Sequence, residues 1–480
     1  MLLELIPPII DQFEEKVKEI TSKIYNYLLQ GNLLDFEEDL YKAITELYKN
    51  LSFVFILEAV KSKELEDIAR TIAQKKGLGE VRKEEVDMQL KTGNTIRIFS
   101  WFAVESKSKR KKKRGPNGSG CHLLLYYWGC IKQATPSYYS LVTQLSVLCP
   151  SFEIVVQVLE HQQIEATYKR VRDIAYAVGS KSMSNRIQAA LKPGENLVGK
   201  RVIISVDGGR TRIREENPKK NKSKKNKRKR TPFDTPWKEP KLFVIHVIGE
   251  NGKISKTELP VYDLVIGEQK ADECFELLSQ YLQELQIEKA KEVLFIADGA
   301  EWIWNRAKNT LVKLGVPEEI IHEAIDFYHA VEHLSKLVQL IYPQIWKKKE
   351  RENLFDTLKK SLKNGKVHQI IAKVKSIARS HHRCKDILDA LKYFQKHEHR
   401  MKYPVLKDHK LPCGSGIVES AVRRLINLRY KSPSTFWKEE NVEKLIFLRG
   451  LFLANRWRYM MNFLSRQNSS SISHLVRRAA

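Results

Sequence analysis

Two stretches of this sequence close a buried-looking apolar run with an aspartate and a glycine. In VIISVDGG (Val202–Gly209), β-branched residues fill four of five positions before Asp207, as in a strand covered on both faces. In EVLFIADG (Glu292–Gly299) a second such run ends at Asp298. A carboxylate at a strand exit, bordered by backbone, is placed to hold a metal ion against a phosphate. The same Asp-Gly pair is also an ordinary turn, so both readings stand at this point. A third acid, Glu419, lies in LPCGSGIVESAVRRLINLR, where Ser415 is expected to cap a helix from Gly416 or Ile417 to about Leu428. A glutamate in a first turn suits the positive helix end without any chemistry. Were the three acids to converge, their repulsion would call for cations between them. Two Mg2+ about 3.5–4 Å apart would serve, one activating a hydroxyl and one stabilising a leaving oxygen.

The elements that must position these acids follow in order. After strand Val202–Val206 come Leu242–Gly249 and, through the Asn251-Gly252 hairpin signal, Lys253–Val265. Ala271–Leu285 reads as an amphipathic helix, Glu292–Ala297 as a fourth strand, Glu301–Leu314 as a helix and Ile320–Phe327 as a fifth strand. This is the element order of the RNase H-like fold, an α/β fold with a mixed five-stranded sheet. In it the first and fourth strands lie side by side, making neighbours of Asp207 and Asp298 across 91 positions. From Tyr328 to about Lys407 the chain reads as an all-helical insertion.

Upstream, residues 1–75 read as helices (Glu14–Leu29 and Phe36–Ala59), started at Pro7-Pro8 and broken at Gly31-Asn32, forming a bundle or a dimer-forming arm. Thr95–Glu105 and His122–Gly129 read as two strands around the basic run Lys107–Arg114. Ser137–Leu191 is helical again. Ser151 caps one short helix, Gln162–Ile164 turns the chain, and Glu165–Val178 carries Lys169, Arg170 and Arg172. That pair suits a helix-turn-helix and equally any small helical bundle. The expected organisation is 1–90 N-terminal helices, 91–195 hairpin and helix-turn-helix-like region, and 196–330 first part of the core. The helical insertion (331–410), the last part of the core (411–460) and a tail (461–480) complete it.

The 480 residues include 84 Lys and Arg against 57 acids, a formal charge of +27. Such an excess favours a polyanionic partner. No apolar run reaches the roughly 18 residues needed to span a bilayer, and the start has no basic segment of a secretory signal. Nucleic acid, rather than an acidic membrane surface, is therefore the expected partner, and a cytoplasmic, nucleoid-associated protein the expected setting. The six cysteines are scattered and fit a reduced compartment, and Cys121-His122 and His381-His382-x-Cys384 lack zinc-finger spacing. Lys109, Arg110, Lys111 and Lys112 in the first basic run, and Lys224, Lys225, Arg228 and Arg230 in Pro218–Arg230, are expected to contact phosphates. The alternative is a solvated loop. The second run has no apolar residue and is expected to be unpacked unless DNA orders it. Lys169 and Arg170 join them as expected DNA contacts.

Four ordered blocks resemble the DDE transposases of bacterial insertion sequences, most of all the Kra-type group, whose catalytic domain carries a helical insertion. They are VDGGR (Val206–Arg210), IADGAEWIW (Ile296–Trp304), DFYHAVEHL (Asp326–Leu334) and GSGIVESAVRRLINLR (Gly414–Arg429), within a likeness spanning roughly residues 90–460. The resemblance implies Asp207, Asp298 and Glu419 as a catalytic triad holding two Mg2+, with Mn2+ able to substitute. It also implies a homodimer acting on transposon ends and target DNA. Asp326-x-x-His329 is similar to the (C/D)xxH element of related transposases, which supports the site near the scissile strand. The chain lacks the Tyr-Arg-Glu-Lys spacing of better-studied groups. Arg423, on the same helical face as Glu419, is then the expected grip on the phosphate. Two other readings share these residues: a decayed or domesticated transposase that only binds DNA, and a nuclease of the same fold without strand transfer.

Overall fold

A computed structural model describes residues 2–105, 120–217, 232–267, 269–431, 436–466 and 468. The phosphate-binding expectations for Lys109–Lys112 and for Lys224, Lys225, Arg228 and Arg230 lie outside the described residues. The chain divides into two units, Met1–Ser184 with Met460–Ala480, and Asn185–Tyr459.

In the first unit, helices α1 (Leu2–Leu29) and α2 (Leu33–Val60) pack as a hairpin. Pro7 and Pro8 lie inside α1 and not at its start, since the helix already begins at Leu2. Helix α3 (Lys63–Lys76) shows how local sequence sets an element. The Ser62 hydroxyl accepts from Leu65 N, Glu64 and Glu66 occupy the first turn, Lys75 and Lys76 the last, and Gly77 ends it at φ 60°. A three-stranded antiparallel sheet follows: β1 (Leu78–Gln89), β2 (Thr95–Glu105) and β3 (Gly120–His122). Val86, Met88, Ile96, Ile98 and Trp101 pack there against Ile68 and Ile72 of α3.

His122–Gly129 is therefore not a strand. Only its first residue pairs with β2, and Leu123–Tyr127 is helix α4 with all three leucines buried. A continuous apolar run carries no period that separates a buried strand from a buried turn of helix. Helices α5 (Pro136–Leu148), α6 (Phe152–His161) and α7 (Tyr168–Met183) complete the unit. Ser151 caps α6 as expected, and Thr167 caps α7.

The second unit is an α/β structure on one mixed five-stranded sheet. After α8 (Arg186–Ala190), β4 (Arg201–Gly208) forms the central strand. Two short ladders, β5 (Thr211–Arg212) with β8 (Trp237–Lys238) and β6 (Glu215–Glu216) with β7 (Phe233–Asp234), extend the connection to β9 (Pro240–Ile248). Then come β10 (Val261–Ile266), α9 (Ala271–Glu284), β11 (Glu292–Ala297), α10 (Glu301–Trp304), α11 (Ala307–Lys313) and β12 (Ile321–Ile325). The sheet order is β10-β9-β4-β11-β12; β4 is antiparallel to β9 and parallel to β11. The first and fourth of these five strands are thus neighbours. The third is shorter than Lys253–Val265, because Pro260, which has no N–H for the ladder, stands just before its start.

From residue 327 the chain is helical: α12 (Phe327–Ile341), α13 (Lys348–Lys363), α14 (Val367–Ala378), α15 (Cys384–His397) and α16 (Tyr403–Asp408). It returns to the sheet through α17 (Gly416–Val422), a π-helical turn at Arg423–Asn427, α18 (Leu428–Tyr430) and α19 (Glu439–Leu453). A buried ion network ties α19 to the edge strand. Arg186 grips Asp263 of β10 through two nitrogens at 2.6 and 2.5 Å and reaches Glu443 of α19 at 3.1 Å, while the Tyr281 hydroxyl donates to Asp263. No described helix is long and apolar enough to cross a membrane.

Candidate active site

The parallel register of β4 and β11 builds the site. Val206 faces Ala297, so the next residues, Asp207 and Asp298, leave adjacent strands side by side at the same end of the sheet. Each strand alternates faces, which puts Asp207 on the face of Ser205 and Ile203, and Asp298 on that of Ile296 and Leu294. Ser205 Oγ donates to Ile296 O at 2.6 Å and pins the two strands one step behind the acids.

Each aspartate also performs its turn role. Gly208 N donates to Asp207 Oδ1 at 2.7 Å, and Ala300 N to Asp298 Oδ1 at 2.9 Å. One oxygen of each carboxylate is thereby fixed, and no described residue donates to the other. Both carboxylates open on a cleft of about 410 Å³, with Arg210, Lys238, Glu239 and Trp302 also in its walls.

Helix α17 packs on β4 and β9 and carries Glu419, which is exposed. The close approach runs through Gly209, where an added Cβ would come 2.8 Å from Ile426 Cδ1 and 3.7 Å from Val422 Cγ1. Glu419 is not in the cleft wall, yet its charge reaches Asp207. Burial first, then repulsion from Asp298 and more weakly from Glu419, pushes the Asp207 carboxyl up to about 6, against the Gly208 N–H and His329. Asp207, Asp298, Glu419 and His329 therefore share one electrostatic neighbourhood. They do not form a closed ligand cage. Among the described residues, the trio with all ligand atoms within 4.8 Å of one another is elsewhere, at Glu292, His322 and His409.

Asp326 is 2% exposed and acts as a joint. Its Oδ1 accepts from Tyr328 N at 2.6 Å and His329 N at 3.2 Å, capping α12. Its Oδ2 accepts from Ser415 N at 2.5 Å and from the Ser415 hydroxyl. Ser415 thus does not cap α17 with its side chain, as its position before the helix had suggested, because its hydroxyl donates to the buried Asp326 carboxylate instead. One side chain fixes both the helix of His329 and the start of the helix of Glu419. His329 is half-buried, with Nδ1 3.9 Å from Glu332 Oε2. Arg423 is exposed at the first residue of the π turn. Arg424, its neighbour, leans away to donate to the Tyr262 hydroxyl at 3.2 Å.

Several residues at the site had drawn no attention in the sequence. Lys241 is buried, paired to Glu239 Oε2 at 3.0 Å and set 4.2 Å over the Trp302 ring. His333, one turn after His329, stacks on Tyr393 of α15 at 3.8 Å. Burial, then Lys336 and His329, hold its imidazole below the usual histidine range. Tyr393 crosses Gly299 so closely that a Cβ there would meet its ring at 2.4 Å. The i, i+4 spacing of the two histidines is a readable signal; nothing local marks Tyr393 or Glu239. In the first unit, Lys169 is exposed, whereas Arg170 is half-buried and donates to Gln89 Oε1 at 2.9 Å.

No protein family, curated protein or solved structure matches the chain.

Proposed function

We propose that this protein is a transposase of the DDE type with an RNase H-like core, binding the ends of a mobile element and cleaving and joining DNA strands. The observation that carries the reading is the placement of Asp207 and Asp298 on adjacent strand ends, with the helix of Glu419 packed against that sheet and its charge felt at Asp207. Such order puts acids from three distant segments near one exposed cleft, as a site for a long polyanionic substrate requires.

The donor set suits hard divalent cations. Asp207 is half-buried beside like charges, and its free oxygen has no described donor, so a cation there relieves both penalties. Asp207, Asp298 and Glu419 would hold Mg2+, with Mn2+ as substitute; a bound pair supplies an activated water or 3′-hydroxyl and a stabilised leaving oxygen. The chain's own groups do the rest. The Gly208 and Ala300 N–H groups keep one oxygen of each aspartate turned toward its loop. Asp326 fixes the spacing between the helices of His329 and Glu419. His329, whose charge lowers the Asp207 carboxyl, would orient a water or a phosphate oxygen. The exposed Arg423 and the two lysine-rich runs would grip backbone phosphates of double-stranded DNA, with a homodimer pairing two ends.

The test uses DNA from both flanks of the coding region. Purified protein with Mg2+ is expected to nick at an element end and join it to a target plasmid. Asp207→Asn should bind the same DNA at least as well and lose nicking by orders of magnitude. Near-normal nicking by that variant returns Asp207 to a turn role and removes the assignment. Nicking without joining would instead fit a nuclease.

A further inference from the structure

We propose that Glu292, His322 and His409 form a second metal site, selective for a d-block divalent cation such as Zn2+, at the opposite end of the sheet from the acids. It stands independently of the catalytic reading. Glu292 Oε1 lies 3.1 Å from His322 Nε2 and 2.6 Å from His409 Nδ1, and the two imidazoles are 4.7 Å apart at 58°. Two ring nitrogens and one carboxylate oxygen converge within 4.8 Å of one another, a donor set that favours zinc over magnesium.

Buried neighbours hold the trio in place. Glu292 keeps Oε1 toward the histidines because Oε2 accepts from Arg201 Nε at 2.8 Å. The same guanidinium donates to the carbonyl oxygens of His409, Lys410 (3.4 Å) and Gly249 (3.3 Å). Arg201 is 6% exposed, so one buried cation orients the carboxylate and fixes the loop carrying His409. The platform is rigid. Arg201 and Glu292 are direct partners across β4 and β11, and His322 is one strand further, level with Leu294. Glu292 and His322 are 12% and 15% exposed, while His409 is 48% exposed, so an ion could reach the trio from the His409 side.

The site lies six residues down β4 and β11 from Asp207 and Asp298, about 20 Å at strand rise. His409 stands just after α16, six residues before Ser415. A bound ion would therefore clamp the exit of the helical insertion to the sheet, and fix the path to the helix of Glu419. Without an ion, the two histidines only hydrogen-bond to a single carboxylate oxygen, a weaker tie.

The experiment strips the full-length protein with chelator and titrates Zn2+ against a chromophoric competitor, with Co2+ absorption as a second readout. Because Zn2+ also binds carboxylates and cysteines elsewhere, the informative quantity is the difference from His409→Ala, whose exposed side chain can be removed without opening the core. The wild type is expected to bind one equivalent more than His409→Ala. That equivalent should give tetrahedral Co2+ bands, resist a large excess of Mg2+, and raise the melting temperature in the wild type only. Arg201→Lys should weaken it about 10–100-fold while retaining the stoichiometry. Equal Zn2+ stoichiometry in wild type and His409→Ala, with identical melting shifts, would overturn the site.

Discussion

Replacing Asp326 with asparagine separates a joint from a catalytic accessory. Asparagine keeps an oxygen that can cap α12 and is itself a good cap, so the contacts to Tyr328 N and His329 N survive. On the other side, an NH2 group replaces the oxygen that accepts from Ser415 N and the Ser415 hydroxyl. The hydroxyl can rotate and accept instead, but the backbone N–H of Ser415 is left facing a donor in a buried place. A lost hydrogen bond to a charged group costs about 1.5–3 kcal/mol, and a stranded buried N–H a similar amount. With partial relaxation, Asp326→Asn should lose about 3 kcal/mol. Asp326→Ala, which also removes the cap, should lose about 1 kcal/mol more. Urea unfolding gives the total, and amide hydrogen exchange at residues 415–419 localises it, since protection there should fall further than in the sheet. Ser415→Ala should cost clearly less in the Asp326→Asn background than alone, because the hydroxyl no longer meets a carboxylate. Stability within about 0.5 kcal/mol of wild type, with unchanged exchange at Ser415, would refute the joint.

Asp207→Asn should stabilise the chelator-treated protein at pH 8 by up to about 3 kcal/mol, since the folded carboxyl is raised from 3.8 to about 6. A raised acid pKa makes the native carboxylate costly above pH 6 and neutral in effect below about 4, so the advantage should vanish at pH 4. Equal melting curves of variant and wild type at pH 8 would argue against the crowding of acids around Asp207. His246 shows the opposite sign: burial, then Arg424 and Arg456, depress it from 6.5 to about 4. Its neutral form contributes fully above pH 6.5, and up to about 3 kcal/mol is lost as pH falls through 4. His246→Phe should flatten the acid limb of the stability curve, and an unchanged limb would place the acid sensitivity elsewhere. Glutamine in place of the lysines between Lys219 and Arg230 should weaken DNA binding and lower the log–log salt slope by about 0.9 per lost phosphate contact. Cleavage at saturating DNA should change little, and an unchanged slope would make the run a bystander.

Local sequence was enough to mark the two strands that carry the aspartates, but not β1, the start of β10 or the helix within His122–Gly129. Val202–Val206, short, rich in β-branched residues and closed by Asp-Gly, reads as a buried strand, and Glu292–Ala297, also closed by Asp-Gly, as a second. Their order along the chain resembles that of the RNase H-like fold, which led to the expectation of the first beside the fourth; the pairing of β4 with β11 shows it. The helical stretch after Tyr328 was legible for the same local reason, its apolar spacing. LLLYY at Leu123–Tyr127 was not, because an unbroken apolar run has no period to read. In β1, the charged run Arg82–Glu85 leaves the alternation to Val86 and Met88 alone. Only the tertiary structure decided which side chains meet. Asp326 and Ser415 are 89 positions apart, and His409 is 117 from Glu292. Helical hydrogen bonding closes within three or four residues and leaves its mark in local sequence, whereas a strand's partner, as for β4 and β11, lies far along the chain. A meeting across the insertion depends on strand register and on the path of a returning loop, which no residue type near either partner encodes.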